Sequence, residues 1–385
     1  MRFIPKWTHK PLAVLVIGAA MLSPHGCSSQ KVATSILSPP LGEATRNEEV
    51  VLPMRTCGDY FIADTMINGE GPFPMLLDTG AGTTVISPRV AARINASGSL
   101  AEIRIDRFVA SGKIPSKVRE VDHLSRALGM EIEGILAYGV FKGVLLTYDY
   151  PRKQIRVRAG SFDANQLASA EVVPTSTGDR PYVRASADGV DFTVLLDTGS
   201  SRSLTLRKLK RFDFIEEPRP TGARMRINGL FVVESGRLAN TMQLGPLSLR
   251  QPIVHNSVST NLVGQQILRD FEVTFDQLQH RVRFHRPGEG VETPIEFPPQ
   301  YGSGLVTAPR DDRLIVRRVF EGSAAENAGI RIDDEILAIN GTQIADRGCR
   351  HLEFDPKPGP KRTQMKIRRG AEELEIEFHS QVLVP

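Results

Sequence analysis

Residues Phe73–Gly82 read FPMLLDTGAG, and residues Phe192–Ser201 read FTVLLDTGSS. The second stretch follows the first by 119 positions, so the triplets that begin at Asp78 and Asp197 are copies of one pattern. In each copy an apolar strand leads into Asp-Thr-Gly, and a second apolar or β-branched strand follows it. The repeat predicts two related β-rich units in one chain.

The ends of the two units match as well. Leu146–Val157 and Val273–Phe284 each contain two apolar strands separated by a turn. This pair is offset by 127 positions rather than 119, a difference that extra residues in a surface loop accommodate. We therefore predict an N-terminal lobe over residues 50–160 and a C-terminal lobe over residues 170–287.

The repeated pattern resembles the retropepsin-like and pepsin-like aspartic proteases. Their signature is an apolar strand that runs into Asp-Thr/Ser-Gly-Ala/Ser, with an apolar-apolar-Gly segment later in the same lobe. Those later segments are Ile135–Gly139 and Asn261–Gly264. The resemblance covers about residues 50–286. It implies a mainly β fold in which two tandem acid-protease lobes form a bilobal pseudo-dimer, whereas viral members place one lobe in each chain of a homodimer.

The resemblance implies that Asp78 and Asp197 form a catalytic dyad that hydrolyses peptide bonds in polypeptide substrates. Two carboxylates about 3 Å apart cannot both ionise, so the pair keeps one proton and supplies one acid and one base. The ionised carboxylate would deprotonate a water held between the two, while the protonated carboxyl donates to the peptide carbonyl oxygen. This chemistry requires neither a metal nor another cofactor. The sequence leaves open which aspartate is the base.

Six neighbouring residues are expected from the resemblance to support the dyad: Thr79, Gly80, Ala81, Thr198, Gly199 and Ser200. The two threonines would hydrogen-bond across the lobe junction, and the two glycines would let backbone amides approach the carboxylates. The third pair differs, because a serine hydroxyl can stabilise an ionised carboxylate and an alanine cannot. The two aspartates therefore need not share the charge equally.

Two glycine-containing segments are candidates for flaps over the cleft. Met225–Val233 contains an Asn-Gly pair, Asn228 and Gly229, which is typical of a hairpin turn. In the first lobe Ser111 and Gly112 lie at a similar distance from Asp78. The alternative is that both segments are ordinary surface hairpins.

A third pattern begins near residue 295 and predicts a PDZ domain over residues 295–385. Ser323–Asn340 resembles the PDZ domains of exported bacterial proteases, with a serine-capped short helix, a glycine stop and a following strand. PDZ domains add an extended or C-terminal peptide to a sheet edge and hold its carboxylate in a glycine-containing loop. Ser303, Gly304 and Leu305 occupy the position of that loop.

The N-terminus reads as an export signal. Basic residues precede the apolar run Leu12–Leu22, which is too short to span a bilayer. Gly26-Cys27 then resembles the lipobox of bacterial lipoproteins, in which the cysteine is acylated, and the alternative is an ordinary signal peptide. We expect a signal over residues 1–27, a tether over residues 28–49, and a location in the bacterial cell envelope with a membrane anchor at Cys27.

Composition excludes several other classes. The net charge of +4 comes largely from the N-terminal basic residues, and no long basic run is present, so nucleic acid is not an expected partner. Only Cys27, Cys57 and Cys349 are present, which excludes a disulfide scaffold and a multi-cysteine zinc site. Cys57 and Cys349 could pair in an oxidising compartment. We favour separate thiols, because their separation in sequence gives no reason for proximity.

The sequence thus predicts an exported aspartic endopeptidase with a PDZ domain that positions substrate or partner peptides. The alternative is a non-catalytic envelope adaptor that binds peptides through the PDZ domain and keeps the two lobes as a degenerate scaffold. Two intact Asp-Thr-Gly triplets favour the enzyme.

Overall fold

The computed structural model of this 385-residue chain describes residues 48–226, 229–310, 313–346, 348–349 and 359–385. The described residues form mostly β-strands, with five short α-helices among them, which confirms the predicted mainly β class. Two groups of strands contain the two Asp-Thr-Gly triplets, and a third group forms a separate C-terminal sheet. Cys27 lies outside the described residues, and no helix among those that are described is long and apolar enough to cross a membrane.

The first lobe is built around a seven-stranded sheet in the order β2-β3-β4-β8-β5-β7-β6. The strand β4 runs antiparallel to β3 and parallel to β8. The helix α1 begins at Pro88 because the Ser87 side chain caps it by accepting a hydrogen bond from the backbone N–H of Val90. The elements of this lobe are β1 Val50–Leu52, β2 Arg55–Cys57, β3 Tyr60–Ile67, β4 Glu70–Asp78, β5 Thr84–Ile86, α1 Pro88–Arg93, β6 Ser99–Ile105, β7 Phe108–Val118, α2 Asp122–Leu128, β8 Gly134–Ala137, β9 Val144–Asp149 and β10 Gln154–Ala159.

The second lobe repeats this plan with a ten-stranded sheet in the order β15-β16-β19-β14-β20-β13-β12-β17-β18-β23. The strand β13 runs antiparallel to β12 and parallel to β20, as β4 does with β3 and β8. The elements are α3 Ala164–Leu167, β11 Val172–Pro174, β12 Tyr182–Ala187, β13 Val190–Leu196, β14 Leu204–Arg207, β15 Arg219–Arg226, β16 Gly229–Arg237, β17 Met242–Leu244, β18 Leu247–Arg250, β19 Ile253–Ser257, β20 Leu262–Val263, α4 Gln265–Leu268, β21 Glu272–Asp276 and β22 Arg281–His285. The strand β23 Ile295–Glu296 extends its edge.

A six-stranded sheet joins the two lobes. Its order, β1-β10-β9-β21-β22-β11, takes three strands from each lobe, and every residue of the two central strands β9 and β21 is buried. Thr147 on β9 lies opposite Thr274 on β21, and their hydroxyl oxygens are 2.9 Å apart. One hydrophobic core continues through both lobes. The two Asp-Thr-Gly segments are therefore held on one continuous body.

The C-terminal domain forms a smaller sheet in the order β25-β26-β27-β29-β30, with its own buried core. A separate pair of strands, β24 and β31, brings the end of the chain next to the start of the domain. The elements are β24 Gln300–Gly302, β25 Leu305–Arg310, β26 Arg313–Val319, α5 Ala324–Asn327, β27 Glu335–Ile339, β28 Thr342–Gln343, β29 Arg362–Arg369, β30 Glu372–His379 and β31 Gln381–Val384.

Cys57 and Cys349 form a disulfide, so the prediction of separate thiols is wrong. The bridge joins the end of β2 in the first lobe to the C-terminal domain, across a sequence separation of 292 residues. Cys57 is fully buried, and Cys349 packs with it against Leu128 and Met130 near the end of α2. The fold places the C-terminal domain against the first lobe, and this brings the two cysteines together although they are far apart in sequence.

Candidate active site

Asp78 and Asp197 occupy equivalent places at the ends of buried strands. Asp78 is the last residue of β4, and Asp197 directly follows β13. The neighbouring strands β8 and β20, which carry the predicted apolar-apolar-Gly segments, run parallel to these two strands at the same level. Both aspartates are almost fully buried, with exposed fractions of 2% and 1%. Each apolar strand thus delivers one carboxylate to the junction between the lobes.

The two glycines of the triplets bring the carboxylates together. A Cβ atom on Gly199 would lie 2.4 Å from Asp78 Cγ, and a Cβ atom on Gly80 would lie 2.6 Å from Asp197 Cγ. Each glycine therefore faces the aspartate of the opposite lobe at a distance that no side chain permits. The backbone N–H of Gly80 donates to Asp78 Oδ1 at 2.7 Å, and that of Gly199 donates to Asp197 Oδ1 at 3.0 Å. Both predicted glycine roles match this geometry.

Burial raises the pKa of both aspartates above the ordinary range for aspartic acid. For Asp78, backbone N–H groups, including those of Gly80 and Gly199, oppose the increase in pKa. For Asp197, the negative charge of Asp78 raises the pKa further, whereas the nearby cation Arg180 opposes the increase. Because the negative charge of one carboxyl raises the pKa of the other, the buried pair favours a state in which the two groups together keep one proton.

Thr79 and Thr198 interlock the two Asp-Thr-Gly loops. The backbone N–H of Thr79 donates to Thr198 Oγ1 at 3.0 Å, and the backbone N–H of Thr198 donates to Thr79 Oγ1 at 3.1 Å. The Thr79 hydroxyl also donates to the carbonyl oxygen of Leu196 at 2.7 Å. Both threonines are buried, so these polar groups depend on each other rather than on water.

Replacing Thr79 with valine is expected to destabilise the protein by about 1–3 kcal/mol, because the Leu196 carbonyl and the Thr198 N–H each lose a buried partner. Thr205 provides the matched control. It is also fully buried, but its hydroxyl has no hydrogen-bond partner among the described residues, so Thr205→Val should be neutral or stabilising. Urea denaturation of both variants measures the difference, and equal effects would contradict the assigned role of Thr79.

Ala81 and Ser200 differ in their surroundings. Ala81 is buried in an apolar cluster with Tyr60, Ile135 and other first-lobe residues. Ser200 is also buried, and its Oγ lies 3.5 Å from the backbone N–H of Arg202, from which it accepts a hydrogen bond. The two halves of the site are thus related by the repeat without being identical.

Sequence reasoning missed several residues that contact this junction. The side-chain amide of Gln265 donates to the carbonyl oxygen of Thr198 at 2.7 Å. Burial raises the pKa of the Tyr148 hydroxyl, and the nearby Thr198 side chain opposes this increase. Tyr60 is 8% exposed, and burial raises the pKa of its hydroxyl while the nearby Ser201 opposes the increase. None of these belongs to the repeated motif. Only the position of Gln265, directly after the apolar-apolar-Gly segment, could have indicated a contact.

A cavity of about 230 Å³ opens beside the first Asp-Thr-Gly loop. Gly82 and Gly139 of the first lobe line one side, and the second-lobe loop from Thr175 to Asp179 lines the other. A Cβ atom on Gly82 would lie 2.4 Å from Asp179 Oδ2, so the two lobes meet closely at this point. Within the described residues, no group of three or more His, Cys, Asp or Glu side chains could hold a metal ion.

The structure changes the predicted flap of the first lobe. A hairpin is present, but its two-residue turn lies at Asp106 and Arg107, between β6 and β7. Ser111 and Gly112 lie inside β7 instead, where the pairing with β6 shifts register opposite Ser111. Gly112 has φ +111°, a backbone conformation that favours glycine. The glycine is therefore required at this irregularity in the strand and not at the hairpin turn.

The predicted flap of the second lobe coincides with the hairpin β15–β16. Gly229 is the first residue of β16 and pairs with the end of β15. Asn228 lies outside the described residues. The base of this hairpin contacts the C-terminal domain, because Arg219 Nε donates to the carbonyl oxygen of Leu383 at 2.6 Å and Arg237 Nε donates to the main-chain oxygen of Pro385.

Ser303 and Gly304 connect β24 to Leu305, the first residue of β25, and this connection is fixed by backbone hydrogen bonds. The carbonyl of Ser303 accepts from the N–H of Ala325 at 2.9 Å, and the carbonyl of Gly304 accepts from the N–H of Phe320 at 2.9 Å. Gly304 has φ +75°, and a Cβ atom there would lie 2.2 Å from Ser323 Cβ. This turn therefore requires glycine for both its backbone conformation and its packing.

Comparisons with known proteins find matches for two parts of the chain, the first lobe and the C-terminal domain. Residues 63–133 match the family model described as "gag-polyprotein putative aspartyl protease", and this range contains Asp78 with its triplet. Residues 294–353 match the PDZ domain. The carboxy-terminal processing protease CtpB of Bacillus subtilis (strain 168) is 33% identical over 79 residues. That match covers 20% of this chain and 16% of the relative, so the chain spans a small part of its length. The comparisons confirm the predicted combination of domains: the chain carries an aspartyl protease domain of the gag-polyprotein type, matched over residues 63–133, and a PDZ domain, matched over residues 294–353.

Proposed function

We propose that this protein is an aspartic endopeptidase whose catalytic dyad is formed by Asp78 and Asp197 of one chain. The observation that carries the proposal is the reciprocal approach of each triplet glycine to the aspartate of the other lobe. A buried pair of carboxyls is costly unless it is hydrogen-bonded and keeps a proton, and a passive scaffold gives no reason to build one. The family match over residues 63–133 supports the same chemistry.

In the proposed mechanism the dyad binds one water between its carboxyl groups. The ionised carboxylate takes a proton from this water, which forms a bond to the peptide carbonyl carbon, while the protonated carboxyl donates to the carbonyl oxygen. The resulting diol collapses when its C–N bond breaks: the carboxyl that took the proton of the water donates it to the nitrogen, and a diol hydroxyl gives its proton to the other carboxylate. An amine and a carboxylic acid are released, and the dyad again holds one proton. The N–H groups of Gly80 and Gly199 hold the carboxyls in place during these transfers.

The PDZ domain is proposed to bind the C-terminal or extended part of a polypeptide and present it to the protease lobes. The Ser303–Leu305 turn supports this role because it precedes the edge strand β25, to which a peptide can add. The domain also contacts the second-lobe hairpin β15–β16 through Arg219 and Arg237. A bound peptide would therefore lie on a domain that is attached to the protease.

Gly304→Ala is expected to weaken peptide binding at the PDZ domain by about tenfold or more, because the new Cβ would displace the turn from Ser323. Gly341→Ala is the control, since Gly341 has a similar φ of +78° with no atom within 4 Å of its Cβ position. Both variants are compared in an Asp78→Asn background, using random heptapeptides with free carboxyl termini and the corresponding C-terminal amides. Equal affinity for acids and amides would contradict a carboxylate site.

We further propose that the protein is exported and anchored in the bacterial envelope through an acylated Cys27. The signal-like N-terminus supports export, and the Cys57–Cys349 disulfide is typical of an oxidising compartment. Labelling cells with a palmitate analogue tests the anchor. Label should enter the protein and be lost in Cys27→Ala, whereas unlabelled protein would overturn the lipid anchor.

The enzymatic proposal is tested by cleavage of a diverse library of unstructured peptides between about pH 4 and pH 7. The full chain should cleave, and a statine-type inhibitor should block it. Asp78→Asn and Asp197→Asn should each lose cleavage, since each aspartate supplies half of the dyad. A folded protein that cleaves nothing across this range would instead favour a non-catalytic adaptor.

A further inference from the structure

One peptide group links the side chain of Gln265 to the second aspartate of the proposed dyad. The N–H of this group belongs to Gly199 and donates to Asp197 Oδ1 at 3.0 Å. The oxygen at its other end is the carbonyl of Thr198, which accepts a hydrogen bond from Gln265 Nε2 at 2.7 Å. Gly199 also faces the opposite aspartate, because a Cβ atom on it would lie 2.4 Å from Asp78 Cγ. A change at Gln265 therefore reaches the dyad through a single peptide group.

The fold holds Gln265 firmly behind the second Asp-Thr-Gly loop. Gln265 is 2% exposed and is the first residue of α4. Its backbone N–H donates to the carbonyl oxygen of Ser200 at 2.8 Å, so its main chain and its side chain both bind the loop. Just after α4, Arg269 forms an ion pair at 2.7 Å with Asp59 of the first lobe, which is 9% exposed. Gln265 thus lies on a segment that is fixed at both ends.

The first lobe has a tyrosine in place of this glutamine. The backbone N–H of Tyr138 donates to the carbonyl oxygen of Ala81 at 3.2 Å, which is the counterpart of the bond between Gln265 and Ser200. The Tyr138 ring packs against Phe275, with ring centroids 5.5 Å apart. A phenol in this position supplies no amide donor, so the two halves of the site differ behind their Asp-Thr-Gly loops.

We propose that Gln265 is a positioning residue for Asp197, which it orients through the peptide group between Thr198 and Gly199. The inference rests on the proposed peptidase function. A hydrogen bond to the oxygen of a peptide group polarises that group and strengthens the bond that its N–H donates. The Gln265 amide therefore fixes the plane of this peptide group and keeps the Gly199 N–H directed at the carboxyl of Asp197.

Gln265→Met tests this role, because it removes the amide and nearly preserves the length of the side chain. Its kcat for peptide cleavage should fall by about tenfold at nearly constant KM, since the substitution loosens a carboxyl and leaves the substrate-binding surface unchanged. Titration of active sites with a statine-type inhibitor gives the concentration of folded enzyme, so unfolding does not contribute to the measured kcat. Gln266→Met is the matched control. Gln266 is the next residue of α4 and is exposed, so the kcat of this variant should equal that of the parent.

Gln265→Glu provides a second test, with a pH dependence that a purely structural role would not produce. A protonated glutamic acid can donate its O–H to the Thr198 carbonyl as the amide does, whereas an ionised carboxylate cannot. Burial should raise the pKa of the new carboxyl, so it should be protonated at the acid end of the range. The ratio of its kcat to that of the parent should be near one at about pH 4 and should fall by about tenfold or more toward pH 7. This variant keeps the test decisive if Gln265→Met folds poorly.

The other titratable and charged groups around Asp197 and α4 are the same in the parent and in every variant, so they do not change the ratio. These groups are Asp78, Arg180, Tyr60, Tyr148, Tyr150, Arg269 and Asp59.

Four results would overturn the inference while the parent remains active. They are full activity of Gln265→Met per titrated site, a rise in KM without a loss of kcat, an equal loss in Gln266→Met, and a constant ratio of Gln265→Glu to the parent across the pH range. A parent that cleaves nothing would instead overturn the proposed function, and the inference with it.

Discussion

Replacing either aspartate of the proposed dyad, Asp78 or Asp197, with asparagine is expected to lower cleavage by about 10²–10⁴-fold and, at the same time, to stabilise the folded protein at neutral pH. The two effects have one cause. Burial raises the pKa of both carboxyls, so any negative charge that the pair carries at this buried junction destabilises the folded state. Asparagine keeps the shape of the side chain and removes the charge, while it cannot accept or deliver the catalytic proton.

The pH dependence follows from the direction of the pKa shift. Between the ordinary pKa of aspartic acid and the raised folded-state pKa, the folded protein holds a proton that the unfolded chain has released. The parent therefore loses stability as pH rises through this window. Each asparagine variant has one titrating carboxyl fewer and so loses less stability over this window, and its advantage of about 0.5–2 kcal/mol at pH 7 should vanish as pH falls toward 4. Cleavage by the parent should decline as pH rises past the raised pKa and the shared proton leaves.

Asp149 supplies the matched control for stability. It is also 1% exposed, but Arg152 and Arg156 pair with it at 2.9 and 3.4 Å. Its charge is compensated, so Asp149→Asn should destabilise the protein. Urea denaturation at pH 4 and pH 7 of all three variants measures these effects. If Asp78→Asn and Asp197→Asn destabilise the protein at pH 7 as Asp149→Asn does, the dyad does not carry an uncompensated buried charge.

Loss of the Cys57–Cys349 disulfide is expected to have the second large effect. The bridge closes a loop across 292 positions and joins two domains, and disulfides typically contribute about 2–4 kcal/mol through such constraints. Cys349→Ser should lower the denaturation midpoint and let the PDZ domain unfold separately from the protease lobes. The oxidised parent treated with a reductant should behave like Cys349→Ser.

Two controls make this prediction specific. Cys349→Ser should be insensitive to the reductant, because it has no bridge to lose. Proteolytic digestion without reduction should yield a linked peptide that contains Cys57 and Cys349 in the parent. Two free thiols in the parent, or a reductant effect of equal size in Cys349→Ser, would contradict the bridge and its contribution.

Much of the fold and the centre of the site could be predicted from the sequence, because a repeat places equivalent residues in equivalent positions. Two copies of an apolar strand before Asp-Thr-Gly predicted two β lobes, and the structure brings Asp78 and Asp197 to one junction. The interlocked Thr79 and Thr198 follow from the same symmetry. The PDZ prediction depended on a local strand, helix and turn pattern, which needs no information from distant residues.

The remaining features depend on contacts between residues far apart in sequence. The Cys57–Cys349 pairing arises from the position of the PDZ domain against the first lobe, which no local pattern encodes. Asp59 of the first lobe pairs with Arg269 of the second because the two lobes face each other, and neither residue belongs to a motif. The predicted first-lobe flap residues lie in the hairpin β6–β7, but its turn uses Asp106 and Arg107 without a glycine, whereas Gly112 lies at a strand irregularity that the sequence pattern did not indicate.

The central claim is that one chain contains one complete dyad. Titration of the full chain with a statine-type inhibitor by calorimetry tests this most directly, because the inhibitor occupies the site of the catalytic water and the reacting carbonyl. We expect one inhibitor per chain, with binding lost in Asp78→Asn and in Asp197→Asn. A stoichiometry of one inhibitor per two chains, or unchanged binding in either variant, would contradict the account.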